Sequence, residues 1–84
     1  MLDRVAENGE KVIIVSNTKK LGKQKEIHKS RDKYIGHTAM VVSVNRVFGE
    51  FGYKYNLEFD NKEIQEQNIS EGDLYFYTCD LSFI

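Results

Sequence analysis

The sequence predicts an all-β chain: a small five-stranded barrel with a long basic loop after its first strand and a short N-terminal helix. Three observations lead there. Tyr53 to Asp60 alternates without a break, with Tyr53, Tyr55, Leu57 and Phe59 on one side and Lys54, Asn56, Glu58 and Asp60 on the other. That is the period-2 signature of a half-buried strand. Val12-Ile13-Ile14-Val15 is an unbroken β-branched run, which suits a strand buried on both faces or central in a small barrel. Short strand-like runs and turn residues alternate at close spacing along 84 residues, and closing such a sheet removes edges that would otherwise pair with other chains.

Length and composition set the bounds. Eighty-four residues make one domain, and a chain of this size buries only about 60% of its unfolded surface. The single cysteine, Cys79, cannot form an internal disulfide, so a disulfide scaffold is excluded. Five Phe and five Tyr supply an aromatic core, and there is no proline or tryptophan. Asp3 and Arg4 interrupt the first residues, so no signal-peptide run is expected. No apolar run is long enough to span a bilayer as a helix. The Asn68-Ile69-Ser70 sequon then has no secretory context. An intracellular, cytoplasmic setting is expected.

The net charge of −1 hides two opposite segments. Lys19, Lys20, Lys23, Lys25, Lys29, Arg31 and Lys33 stand against Glu26 and Asp32 in the stretch from Asn17 to Lys33. Glu58, Asp60, Glu63, Glu66, Glu71 and Asp73 stand against Lys62 further on.

The elements follow in order. Met1 to Asn8 has Leu2, Val5 and Ala6 on one helical side, a helix too short to persist unless docked. Asn8-Gly9 stops it, and the first strand follows. Asn17 to Lys33 lacks strand pattern and reads as a long loop of the functional or disordered kind. Thr38 to Val44 is the second strand. Apolar residues of both parities (Val41 with Ala39, Met40 with Val42 and Val44) mark it as central or strongly bent. Arg46 to Gly52 is a hairpin tip, with Gly49 and Gly52 open to positive φ. Phe48 and Phe51 flank Glu50 in it. Tyr53 to Asp60 is the third strand, and Asp60-Asn61-Lys62 a turn. Glu63 to Asn68 is a short strand or a loop. Ser70 to Asp73 turns again, Leu74 to Tyr77 is a strand, and Ser82 to Ile84 closes the chain.

This order resembles the small SH3-like barrels, including KOW-type domains and the photosystem I reaction-centre subunit IV group. Gly9-Glu10-Lys11-Val12 is similar to the Gly-acid-x-Val that opens the pattern. A long variable loop is matched by 17–33. Tyr34, Gly36, Ala39, Val41 and Val44 follow the Tyr-x-Gly-x-x-Gly-x-Val-x-x-Val run, with Ala39 in place of its second glycine. Phe59-Asp60 matches the aromatic-Asp strand end, and Phe76 or Tyr77, Asp80-Leu81 and Ile84 match the final turn. The resemblance implies a fold, and a binding module more often than an enzyme; barrels of this kind serve many roles.

Catalytic, cofactor and metal chemistry find no foothold. His28, His37 and Cys79 do not stand at ligand spacing. Cys79 has no neighbouring cation in sequence to activate it and reads as a small core residue. No phosphate-binding glycine loop is present. No cofactor, no metal, no small-molecule substrate and no enzyme activity are expected. The expected function is a non-enzymatic module that binds a protein partner through two places: the basic loop (Lys19, Lys20, Lys23, Lys25, Lys29, Arg31, Lys33) and the Phe48/Phe51 tip. A composition without proline and rich in Lys, Glu, Asn and Ile suits an AT-rich genome. A small phage or mobile-element protein that modulates a host machine is the setting this suggests. The alternative is a KOW-like RNA- or DNA-binding domain. Its 17–33 loop would neutralise phosphates, and Tyr34, Phe48, Phe51 and Tyr53 would stack on bases.

Overall fold

Strand β1 (Lys11–Ile14) lies between the second strand and the last, because its β-branched run fills two ladders at once. The computed structural model describes residues 1–16, 29–46, 52–72 and 75–84, with the side chains of 29–31 left aside. Four more strands join β1: β2 (Thr38–Arg46), β3 (Tyr53–Phe59), β4 (Phe76–Tyr77) and β5 (Leu81–Phe83). They form one antiparallel sheet in the order β4-β3-β2-β1-β5. The described pairings run from β4 at one edge to β5 at the other. The expected strand content is therefore present, as an open five-stranded sheet.

The core follows the alternation of β3. Tyr55, Leu57 and Phe59 are buried, Tyr53 packs against them, and Glu58 is exposed. Opposite, β2 changes parity midway. Val41 pairs with Leu57 and Ser43 with Asn56, so Val42 is an extra residue, a β-bulge. Before the bulge Ala39 and Val41 face the core; after it Val44 takes over, opposite Tyr55. Val42 is left exposed. The two-sided apolar pattern of β2 is thus the trace of a bulge, which bends the strand. In β1, Val12 and Ile14 are buried while Ile13 is only partly covered, so this strand has one core face.

A 3-10 turn (Lys29–Tyr34) brings the end of the basic stretch onto the sheet. Its last residue, Tyr34, is fully buried. Its ring stacks on Phe59 at 5.3 Å and meets Phe76 edge-on at 5.4 Å, while Phe59 and Phe76 lie 5.7 Å apart. Gly36 follows at φ 90, donating its N–H to Ile14 O at 2.8 Å. A side chain at that φ would be strained, so the Tyr34-Ile35-Gly36 sequence is what reverses the chain into β2.

Two expectations are corrected. Residues 63–68 are neither strand nor loop but part of helix α1 (Lys62–Glu71). Asn61 Oδ1 accepts from Ile64 N at 3.1 Å as N-cap, and Gly72 at φ 70 ends the helix. The two expected turns are therefore the two ends of one helix. Only Ile64 and Asn68 are buried, four residues apart on one face, and that face packs on β3. The expected N-terminal helix is absent: residues 1–7 run as an irregular strap. Its amides bond elsewhere, Leu2 N to Thr78 O at 3.2 Å and Ala6 N to Tyr55 Oη at 3.2 Å. Leu2 and Ala6 are buried and Val5 is exposed. Docking onto the sheet outweighs the weak helical preference of so short a segment.

Candidate functional site

The strap, the exit of β2 and the start of β3 meet at one end of the sheet. Thr78 opens a second 3-10 turn (Thr78–Asp80) between β4 and β5. Its Oγ1 accepts from Tyr53 N at 3.3 Å and lies 3.5 Å from Tyr53 O, which holds the first residue of β3 against the turn. Gly52, at φ 72, lets the chain enter β3 there. Between this edge and the strap lies an open groove of about 320 Å³, lined by the strap residues 1–5, with Asp3 and Arg4 among them, and by Gly52, Tyr53, Tyr55 and Thr78. Its lining is largely apolar. The expected tip, Arg46 to Gly52, is described at its two ends only, residues 47–51 lying outside the described residues.

Arg46 lies against Tyr53, one of the groove's lining residues. It pairs with Tyr53 across the β2–β3 ladder, its guanidinium stands 5.4 Å from the Tyr53 ring centre, and it donates to Tyr53 Oη at 3.2 Å. On the other face of the sheet Lys54 sits 4.3 Å from the ring centre of Tyr75. Neither cation meets a carboxylate among the described residues, whereas Arg4, Lys11 and Lys33 each do.

The strap is fastened by charge. Arg4 makes two hydrogen bonds to the Glu10 carboxylate, at 2.7 and 2.6 Å, and its guanidinium lies 4.1 Å over Phe83. Glu7 N also donates to Glu10 Oε1 at 2.9 Å. Arg4 first, then the Glu7 amide, hold the Glu10 carboxyl down from 4.5 to about 2, against partial desolvation. Because the folded pKa is depressed, this contribution to stability is present above pH 4.5 and is lost as pH falls towards about 2. A carboxyl-detected NMR titration should find the Glu10 midpoint near 2, and Arg4→Ala should return it towards 4.5. A wild-type midpoint near 4.5 would contradict the clasp. Asp60 is lowered in the same sense, by Lys11 first and then by Thr38 Oγ1 at 2.6 Å.

The residues singled out from sequence fare unevenly. Lys19, Lys20, Lys23, Lys25, Phe48 and Phe51 lie outside the described residues. Lys29 and Arg31 belong to the first 3-10 turn by backbone, with their side chains not described. Lys33 ion-pairs with Glu71 at the end of α1 and stands 5.5 Å from the Tyr34 ring centre. It thus joins the basic stretch to the acidic one within the chain. Tyr34 is buried and offers no ring for stacking. The residues that sequence reading missed are Arg46, Val5 and Thr78. Only the fold brings them to Tyr53; Arg46 alone carried a signal, as the cation entering the expected tip.

Elsewhere the exposed side of α1 forms a shallow acidic concavity of about 310 Å³ with Glu63, Glu66 and Glu71. Among the described residues no three His, Cys, Asp or Glu side chains gather as a metal site, and no described helix is long and apolar enough to cross a membrane. No family model, no curated protein and no solved structure matches this chain.

Proposed function

We propose that the chain is a non-enzymatic, cytoplasmic interaction module of the SH3-like barrel type that binds a protein partner at the tip end of its sheet. The observation that carries this reading is the largely apolar groove at Val5 and Tyr53, beside the first residues of β3. Apolar surface beside an aromatic-bearing hairpin is the usual make-up of an interface anchor. Support for the barrel comes from three features: β1 pairing with both β2 and β5, the bulge that bends β2, and the 3-10 turn before the last strand.

The test is affinity capture from the native source with nuclease treatment, comparing wild-type chain with Phe48→Ala plus Phe51→Ala. A captured protein that the double variant no longer retains is the expected result. Retention by the variant, or recovery of nucleic acid alone, would count against it.

A second reading has one observation of its own, the pairs Arg46–Tyr53 and Lys54–Tyr75, a cation-and-ring pattern suited to single-stranded nucleic acid. That binding would weaken steeply with salt and fall when Lys19, Lys20, Lys23 and Lys25 are changed to Glu. Binding at the groove varies little with salt by comparison.

A further inference from the structure

We infer that Asn8-Gly9, at the base of the strap, is a site of slow covalent modification: Asn8 loses its amide through a succinimide when the turn that holds it opens. Three observations carry this. Asn8 and Gly9 are exposed, in a turn closed by Glu10 N donating to Glu7 O at 3.1 Å, and among the described residues nothing bonds the Asn8 side chain. Gly9 sits there at φ 91, and a Cβ built on it would meet nothing within 4 Å, so no neighbour crowds its nitrogen. That nitrogen is held by one bond: it donates to Val41 O at 2.7 Å, while Glu10 O accepts from Val41 N at 2.9 Å. The turn is thus pinned to β2 by the atom that would react.

The chemistry needs only water. The Gly9 nitrogen gives up its proton and attacks Asn8 Cγ; the Cγ–Nδ2 bond breaks, and Nδ2 leaves as ammonia with that proton. Water then opens the succinimide at one carbonyl or the other, leaving aspartate or isoaspartate. A nitrogen engaged with Val41 O is not free to close onto Cγ. The reaction therefore waits for the base of the strap to come off β2, a local opening short of global unfolding. The product does not close as before. Either acid adds negative charge between Glu7 and Glu10, and isoaspartate runs the backbone through an extra methylene, so the Glu7–Glu10 turn and the Gly9–Val41 bond no longer both fit. Glu10, next after Gly9, carries the carboxylate that clasps Arg4. Modification at Asn8 thereby loosens the strap and the side of the groove that it supplies.

The experiment incubates the full chain in neutral buffer, with and without unfolding urea, and follows Asn8 conversion by peptide mass spectrometry. Conversion is expected to proceed in the folded chain, slower than in urea by about tenfold or more, the factor set by the local opening equilibrium. Arg4→Ala, which frees the clasp, is expected to speed it several-fold. Ile64→Val, which weakens the core at α1 and leaves the turn alone, is expected to leave the rate unchanged. Hydrogen exchange on the separated isoaspartate form should show lost protection at Gly9 and at Ala6, whose amide bonds Tyr55 Oη, with the β2–β3 ladder still protected. Equal rates with and without urea, or no conversion in the folded chain, would overturn the inference. Equal speeding by Arg4→Ala and Ile64→Val would assign the reaction to the globally unfolded chain and remove the gating by the strap. Unchanged protection in the isoaspartate form would show that the product rebuilds the turn, against the loosening derived above.

Discussion

Tyr34→Ala is expected to lower stability by about 3–5 kcal/mol, the cost of removing a fully buried aromatic and leaving a cavity. Small domains hold only about 5–15 kcal/mol in total, so this change takes a large share of the margin. The size follows from position. Tyr34 is the ring through which the end of the basic stretch reaches the core, and it touches both Phe59 of β3 and Phe76 of β4. Without it the edge strand β4 loses a main support, since its ladder to β3 spans only Lys54 and Tyr55. Urea unfolding followed by circular dichroism reads the change as a fall in midpoint. Tyr34→Phe keeps the three-ring contact and should cost far less. Equal losses in the two variants would mean that the hydroxyl, which lies 3.5 Å from Glu71, outweighs ring packing.

Asp80→Ala is expected to cost up to about 3 kcal/mol, the penalty of leaving buried donors without an acceptor. Asp80 is 1% exposed. Its carboxylate accepts from Ser16 Oγ at 3.2 Å and from Tyr77 N at 3.2 Å, while its backbone oxygen accepts from Val15 N at 2.7 Å. One residue thereby ties the exit of β1 to the junction of β4 and β5. Asp80→Asn keeps an acceptor oxygen and should retain more than half of the lost stability. Urea midpoints for the pair decide it. An unchanged midpoint for Asp80→Ala would show that the turn holds by its backbone alone.

Strand content was legible because it rests on local patterns that tertiary packing reinforces. Tyr53 to Phe59 shows its faces by simple alternation, and the β-branched run of β1 needs no further context. The bulge was half legible: both parities of β2 being apolar signalled a bend, and the register places it at Val42. Helix α1 was obscured for a physical reason. Its buried face consists of Ile64 and Asn68, a polar residue where periodicity looks for an apolar one, and Ile69 is exposed. Its ends, Asn61 and Gly72, were visible as turn residues, and a capping reading of them with Glu63 in the first turn would have found it. The N-terminal strap erred the other way, with helical spacing over too few residues to outweigh docking.

The site was less legible than the fold. The sequence points to the tip between β2 and β3 and to the basic stretch, both chosen by residue type. The groove beside the tip draws on Val5, Tyr53 and Thr78, far apart in the chain, and no local pattern joins them. Lys33 illustrates the limit of counting charge: it reads as a free cation in sequence, and the fold sets it against Glu71.

The most direct test of a protein-binding tip end is amide hydrogen exchange on the chain alone and with its captured protein. New protection is expected at Gly52, Tyr53, Thr78 and the strap around Val5, with the exposed face of α1 unchanged. Protection confined to α1 around Glu63 and Glu66, with none at Tyr53 or Val5, would contradict it.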